Sequence, residues 1–190
     1  MTGRYVVFDG LDVTTVRDHA LSFVERLKRR GIDAIYEQAK GMPINFFSRD
    51  VFDFFANHPN LDSRARELIS CAVLAEQSAK IKELMARGCF VVSSYSCVGS
   101  LAETLARGVP FNDIKNLLYY SVQCYPEHIF FLKSEPRKTD DPETFGVREE
   151  NYKLALKQYY SWIPHTIIDS SRYVVKKTAE NQIDRAFGLG

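Results

Sequence analysis

The chain has 190 residues, enough for one sizeable core, and its 45% hydrophobic and 26% charged residues exclude a disordered or fibrous protein. The 25 lysines and arginines nearly cancel the 24 aspartates and glutamates; a net charge of +1 does not by itself direct the chain to nucleic acid or to an anionic membrane. No apolar run approaches the roughly 18 residues that cross a bilayer, and Met1-Thr2-Gly3-Arg4 leads into strand-like residues instead of a secretory leader. A soluble cytoplasmic protein is expected.

In chain order, Tyr5 to Asp9 reads as the first strand. From Val16, the apolar positions Ala20, Phe23, Val24 and Leu27 follow helical spacing, and Gly31 stops that helix. Ala34 to Tyr36 is a second strand, and Asp62 to Arg87 a long helix closed by Gly88. Cys89 to Ser93, His128 to Leu132 and Thr166 to Ile168 are further short apolar runs. A helix over about 149–162 precedes the last of these, and a terminal helix covers about 178–187. Short apolar runs alternating with longer amphipathic ones predict an α/β fold of three layers, a five-stranded parallel sheet with helices on both faces. With no repeats, low-complexity tracts or long linkers, residues 1–190 read as one domain.

The four cysteines, Cys71, Cys89, Cys97 and Cys124, lack CxxC spacing, so neither a disulfide nor a zinc site is expected. His19, His58, His128 and His165 lack the pairing that sets two ligands on one helix face, and read as surface or core residues. No nucleophile elbow precedes any helix, and Ser94, Ser96 and Cys97 have no assignable base, which argues against a hydrolase.

In a sheet of this kind a ligand site lies beyond the carboxyl ends of the strands, most often at the first strand-to-helix turn. That turn opens Phe8-Asp9-Gly10-Leu11-Asp12, which resembles the start of the phosphate-binding loop of the thymidylate kinases, a P-loop family reading roughly F-E-G-x-D-G-x-G-K-[ST]-T there. Further segments are similar in order and spacing. Gly41 to Ile44 with Arg49 resembles the family's substrate loop, Glu67 to Gln77 its substrate helix, and Val91 to Ser96 its Asp-Arg-Tyr strand. Pro126 to Leu132 resembles its fourth strand, Asp140 to Glu143 its lid, and Ile168 to Ser171 the segment near the adenine. The resemblance implies a P-loop kinase fold, a homodimer or heterodimer packed through helices on one side of the sheet, and nucleotide-binding candidates at Asp9, Asp12, Thr15, Arg17, Arg49, Tyr95, Arg137 and Arg148.

The departures from the family point to lost chemistry. Thr15 stands at the second loop glycine, Val16 at the lysine and Arg17 at the magnesium-binding hydroxyl, so close phosphate approach, charge neutralisation and metal binding all lose their residue. Ser94 and Tyr95 replace the Asp and Arg of the Asp-Arg-Tyr motif, Leu74 and Ala75 fall at a base-contacting arginine, and Asp141-Pro142 replaces a lid arginine. Thr15-Val16-Arg17-Asp18 has capping-box spacing, which predicts a carboxylate at Asp18 in the positive end of the helix where the family binds phosphate.

The leading expectation is a thymidylate-kinase-like protein without ATP binding or phosphoryl transfer. It needs no catalytic residue, metal or cofactor and acts through binding or assembly. In the alternative, an active (deoxy)nucleoside monophosphate kinase uses ATP and Mg²⁺ through a site rebuilt from Arg17, Arg49, Arg137 and Arg148. A third reading takes Phe46 to Phe55, five phenylalanines in ten positions, as a protein-partner surface; ordinary core packing is its plain counterpart. Neither nucleic acid nor membrane is an expected partner, and Arg26 to Arg30 reads as a solvated helix end.

Overall fold

A computed structural model of the chain describes residues 3–37, 54–55, 57–58, 60–94, 96–136, 141–170 and 175–188. Its strands are β1 (Arg4–Gly10), β2 (Ala34–Glu37), β3 (Phe90–Ser93), β4 (His128–Lys133) and β5 (His165–Asp169). They form one parallel sheet in the order β2-β3-β1-β4-β5, with Val6 of β1 level with Val92 of β3 and with His128 of β4. The helices are α1 (Val13–Arg29), α2 (Ser63–Ala86), α3 (Cys97–Ala106), α4 (Phe111–Ser121), α5 (Pro142–Leu154) and α6 (Val175–Ala186). The three-layer parallel architecture expected from the alternation of patterns is the one found.

Strand residues point alternately to the two faces, so the buried runs feed two cores. On one face Val6, Phe8, Val92, Phe130 and Leu132 meet Ala20, Phe23, Val24 and Leu27 of α1 and Ile183 of α6. Phe23 is fully buried, its ring 5.6 Å from that of Phe8 and 5.9 Å from that of Phe90. Burying such a ring stabilises the fold by about 1.5–3 kcal/mol. On the other face Tyr5, Val7, Val91, Ile129 and Phe131 meet α2 through Leu74 and Ile81, α3 through Leu101, α4 through Leu118 and α5 through Tyr152.

The long helix α2 and the helix α5 start at side-chain caps. Asp62 accepts from Arg64 N and Ala65 N at the head of α2, and Asp141 accepts from Thr144 N at 2.9 Å at the head of α5, where Pro142 occupies the first turn. Gly31 and Gly88, expected as helix stops, follow α1 and α2 at φ of 75° and 86°, a region that side chains rarely adopt.

Three expectations need correction. α1 begins at Val13, three residues before the expected start, so the Thr15–Asp18 capping box does not form; Asp12 is the cap and Asp18 is exposed on the helix. The helix expected over 149–162 runs instead from Pro142 to Leu154 and continues as one wider π-type turn over Ala155–Tyr159, because Asp141-Pro142 is a helix start and not only a lid-like break. The helices α3 and α4 were not anticipated as elements. The four cysteines are free thiols, and no described helix is long and apolar enough to cross a membrane.

Candidate functional site

The carboxyl ends of β1 and β3 open into a cleft walled by α1, α3 and α5, and lined by Asp9, Gly10, Val16, Glu103, Arg148 and Tyr152 among others. This is the place expected from the sheet topology. The cavity is about 40 Å³, room for a few water molecules, and Arg148 and Glu103 on its wall remain about one-third exposed.

Its first wall is the β1–α1 turn. Only Leu11 and Asp12 separate strand from helix. One carboxylate oxygen of Asp12 accepts from Thr14 N at 3.0 Å and Thr15 N at 3.4 Å; the other accepts from the Thr15 hydroxyl at 3.0 Å. Val16 N donates to Asp12 O at 3.0 Å, as in any helix. Three of the amides that a helix N-terminus offers to an anion, those of Thr14, Thr15 and Val16, are therefore bonded within the chain. Val16 is 2% exposed and belongs to the α1 core; a β-carbon built on Gly10 would lie 3.1 Å from a Val16 methyl and 2.5 Å from the Leu132 carbonyl oxygen.

Asp9 belongs to a different arrangement. Strand alternation sets it on the face of Tyr5 and Val7, under α3 and α5 and not under α1. One carboxylate oxygen accepts from the Ser96 hydroxyl at 2.8 Å and the other from Gly10 N at 3.0 Å. Ser96 is itself the cap of α3, accepting from Val98 N and Gly99 N at 3.1 and 3.2 Å. The Asp9 charge thus rests against the positive end of α3. Ser96 is 1% exposed, which removes it as an accessible nucleophile. Tyr152 is buried, and burial first, then the Asp9 carboxylate, pushes its phenol well above the ordinary range, so it stays neutral.

The third wall is an ion pair from α5 to α3. Arg148 donates through Nε to Glu103 Oε1 at 3.1 Å and through Nη2 to the same oxygen. Arg17 is exposed on α1, and its charge is felt by the Tyr36 phenol, which donates to Ser94 Oγ at 2.8 Å. Of the candidate residues, then, Asp9 and Arg148 line the cleft, Asp12 and Thr15 form its helix cap, and Arg17 stands outside. Arg49, Tyr95 and Arg137 lie outside the described residues, as does most of Phe46–Phe55; of that run, Phe54 is exposed and stacks on His58 with ring centres 4.2 Å apart.

Leu74, placed by resemblance at a base-contacting arginine, is 4% exposed in the α2 core. Glu67 on the same helix is buried and bonded to Thr104 and Arg107, which ties α2 to α3. Among the described residues no three histidine, cysteine or carboxylate side chains converge as a metal site. Sequence reasoning missed Ser96, Gly99, Glu103 and Tyr152. The alternation of β1 carried a signal for the first two, because it turns Asp9 toward the segment after β3; nothing local marks Glu103 or Tyr152.

No family model matches the sequence, and no curated protein matches it. Among solved structures, the crystal structure of thymidylate kinase from Ehrlichia chaffeensis superposes with a TM-score of 0.82 over 98% of this chain and 100% of that one, at 15% sequence identity. The fold is therefore that of thymidylate kinase, a P-loop kinase fold, and at 15% identity the likeness is one of fold.

Proposed function

We propose that this protein keeps the thymidylate-kinase fold without ATP binding or phosphoryl transfer, and acts by binding or assembly, as a homodimer or with a different chain. The observation that carries the reading is the two-residue passage from β1 into α1, with the Asp12 carboxylate on the first helix amides. A phosphate-binding loop works by wrapping free backbone N–H groups around phosphate beside a lysine and a metal-holding hydroxyl. Here Thr14, Thr15 and Val16 are helical with their amides bonded within the chain, and an aliphatic side chain occupies the lysine position. ATP and Mg²⁺ do not fit this constellation, and no step is derived through them. Phosphoryl transfer depends on positioned positive charge, each lost group raising the barrier by several kcal/mol.

The competing reading, an active nucleoside monophosphate kinase with a rebuilt site, has Arg148 in its favour, the cation that the described residues place in the cleft. Isothermal titration with ATP–Mg²⁺ and with dTMP, beside a coupled ADP-release assay across the common monophosphates, separates the two. The proposal expects no heat of binding for ATP–Mg²⁺ and no turnover. Micromolar ATP binding, or turnover that Arg17→Ala removes, would establish the kinase instead.

A further inference from the structure

The cleft holds one cation among its described lining residues, and that cation is already taken. Arg148 directs Nε and Nη2 to a single oxygen of Glu103, and the pair bridges α5 and α3 across the cleft wall. Glu103 lies one helical turn beyond Gly99, whose backbone is pressed against Asp9. The lining charges are therefore two carboxylates, Asp9 and Glu103, against one guanidinium, and Asp12 adds a third carboxylate at the α1 cap.

We infer that Glu103 is the specificity-determining residue that closes this cleft to phosphate-bearing ligands. The inference rests on the reading given under Proposed function and adds a cause beyond the α1 cap: the guanidinium that an anion needs is neutralised by a carboxylate of the chain itself. Both side chains are about one-third exposed, 37% for Arg148 and 31% for Glu103. An ion pair so placed contributes little to stability, so its effect falls on the charge of the cleft. The Asp9 carboxylate is held by the Ser96 hydroxyl and Gly10 N, while Arg148 directs its two donors to Glu103. Removing the Glu103 charge leaves Arg148 facing the cleft with no carboxylate of α3 beside it, and a guanidinium in that state binds phosphate oxygens through its fork of donors.

The test is titration of the full chain and its variants with inorganic pyrophosphate and, separately, ATP–Mg²⁺, read by isothermal calorimetry, with thermal melts to verify folding. Wild type is expected to bind neither. Glu103→Gln and Glu103→Ala are expected to bind pyrophosphate saturably at concentrations at least tenfold below the highest at which wild type gives no heat, and Arg148→Gln added to either is expected to abolish the gain. Glu103→Asp, which keeps the charge, is expected to behave as wild type. If wild type binds ATP–Mg²⁺ tightly, the proposed function fails. If wild type is silent and neither neutral variant gains affinity, the inference about Glu103 fails while that reading stands. A gain that survives loss of Arg148, or one equally large in Glu103→Asp, also overturns it, since the anion is then held elsewhere or admitted by side-chain length.

Discussion

Gly99 and Asp9 are in contact across the sheet's carboxyl edge: a β-carbon added to Gly99 would lie 2.7 Å from Asp9 Oδ2. The first turn of α3 thus closes onto the carboxylate that its own cap residue, Ser96, holds at 2.8 Å. Gly99→Ala should destabilise the protein by about 1–3 kcal/mol, the usual cost of overpacking, measured by urea unfolding. In an Asp9→Ala background the added methyl meets less, and its cost should fall by at least about 0.5 kcal/mol, as for any pair in direct contact.

The helix start gives a second discriminating pair. Asp12 caps α1 and Asp18 is an exposed helix residue, so Asp12→Ala should cost about 1 kcal/mol and Asp18→Ala less than about 0.5 kcal/mol. Had Thr15 and Asp18 formed the cap, the order would be reversed. Urea midpoints of the two variants decide it.

Val16 belongs to the α1 core and packs over Gly10. Truncation to alanine should cost about 2 kcal/mol through two lost methyl groups and the residual cavity. Val16→Lys, which restores the residue type of a phosphate-binding loop, should destabilise further because an ammonium enters an apolar site. It should still not bind ATP, because the Asp12 cap and the helical first turn are unchanged; denaturant unfolding and calorimetry of the same preparations test both parts.

His128 is half-buried, bonded to Thr166 Oγ1 at 2.9 Å and packed on the Phe130 ring with centres 4.5 Å apart. Burial, then the neighbouring His165, lowers its pKa from 6.5. The folded protein therefore binds fewer protons at this site than the unfolded chain just below pH 6.5, and the stability from the neutral form is complete above that pH and declines as pH falls below it. Urea midpoints for wild type should drop across pH 6.5 to 5, and His128→Gln should show a smaller drop. An identical slope in both would remove this account.

The thiols make a related case. Burial pushes Cys97 up to about 12 and Cys71, with the Glu67 charge adding to burial, up to about 11. Since the thiolate is the reactive form, iodoacetamide at pH 8 should leave both unmodified in the folded protein and label them after unfolding in urea, as peptide mass spectrometry reads out.

The legible parts of this fold were those whose patterns are strong and local. β1 and β4 are unbroken apolar runs, and α1 shows a clear stripe from Ala20 to Leu27. α3 escaped because Cys97 to Ala102 is buried on every side, so no apolar stripe alternates with a polar face, and Gly99 weakens the helical signal further. α4 buries only Ile114, Leu118 and Ser121, too narrow a stripe to stand out beside Tyr119 and Tyr120. The start of α1 was misplaced because Asp12 and Thr15 both suit a cap, and the choice turned on chain geometry after Gly10. Within the site, Asp9 and Arg148 were reachable by position in the chain; their partners Ser96 and Glu103 are 87 and 45 residues away, and only the fold brings them together.

The amide resonances of Thr14 and Thr15 report most directly on whether the start of α1 accepts phosphate. In a ¹H–¹⁵N titration with ATP–Mg²⁺ to millimolar concentration, the Asp12 cap predicts that both stay where they are. Saturable shifts of these two amides at micromolar ATP would show the cap displaced by phosphate and would contradict the proposed loss of ATP binding.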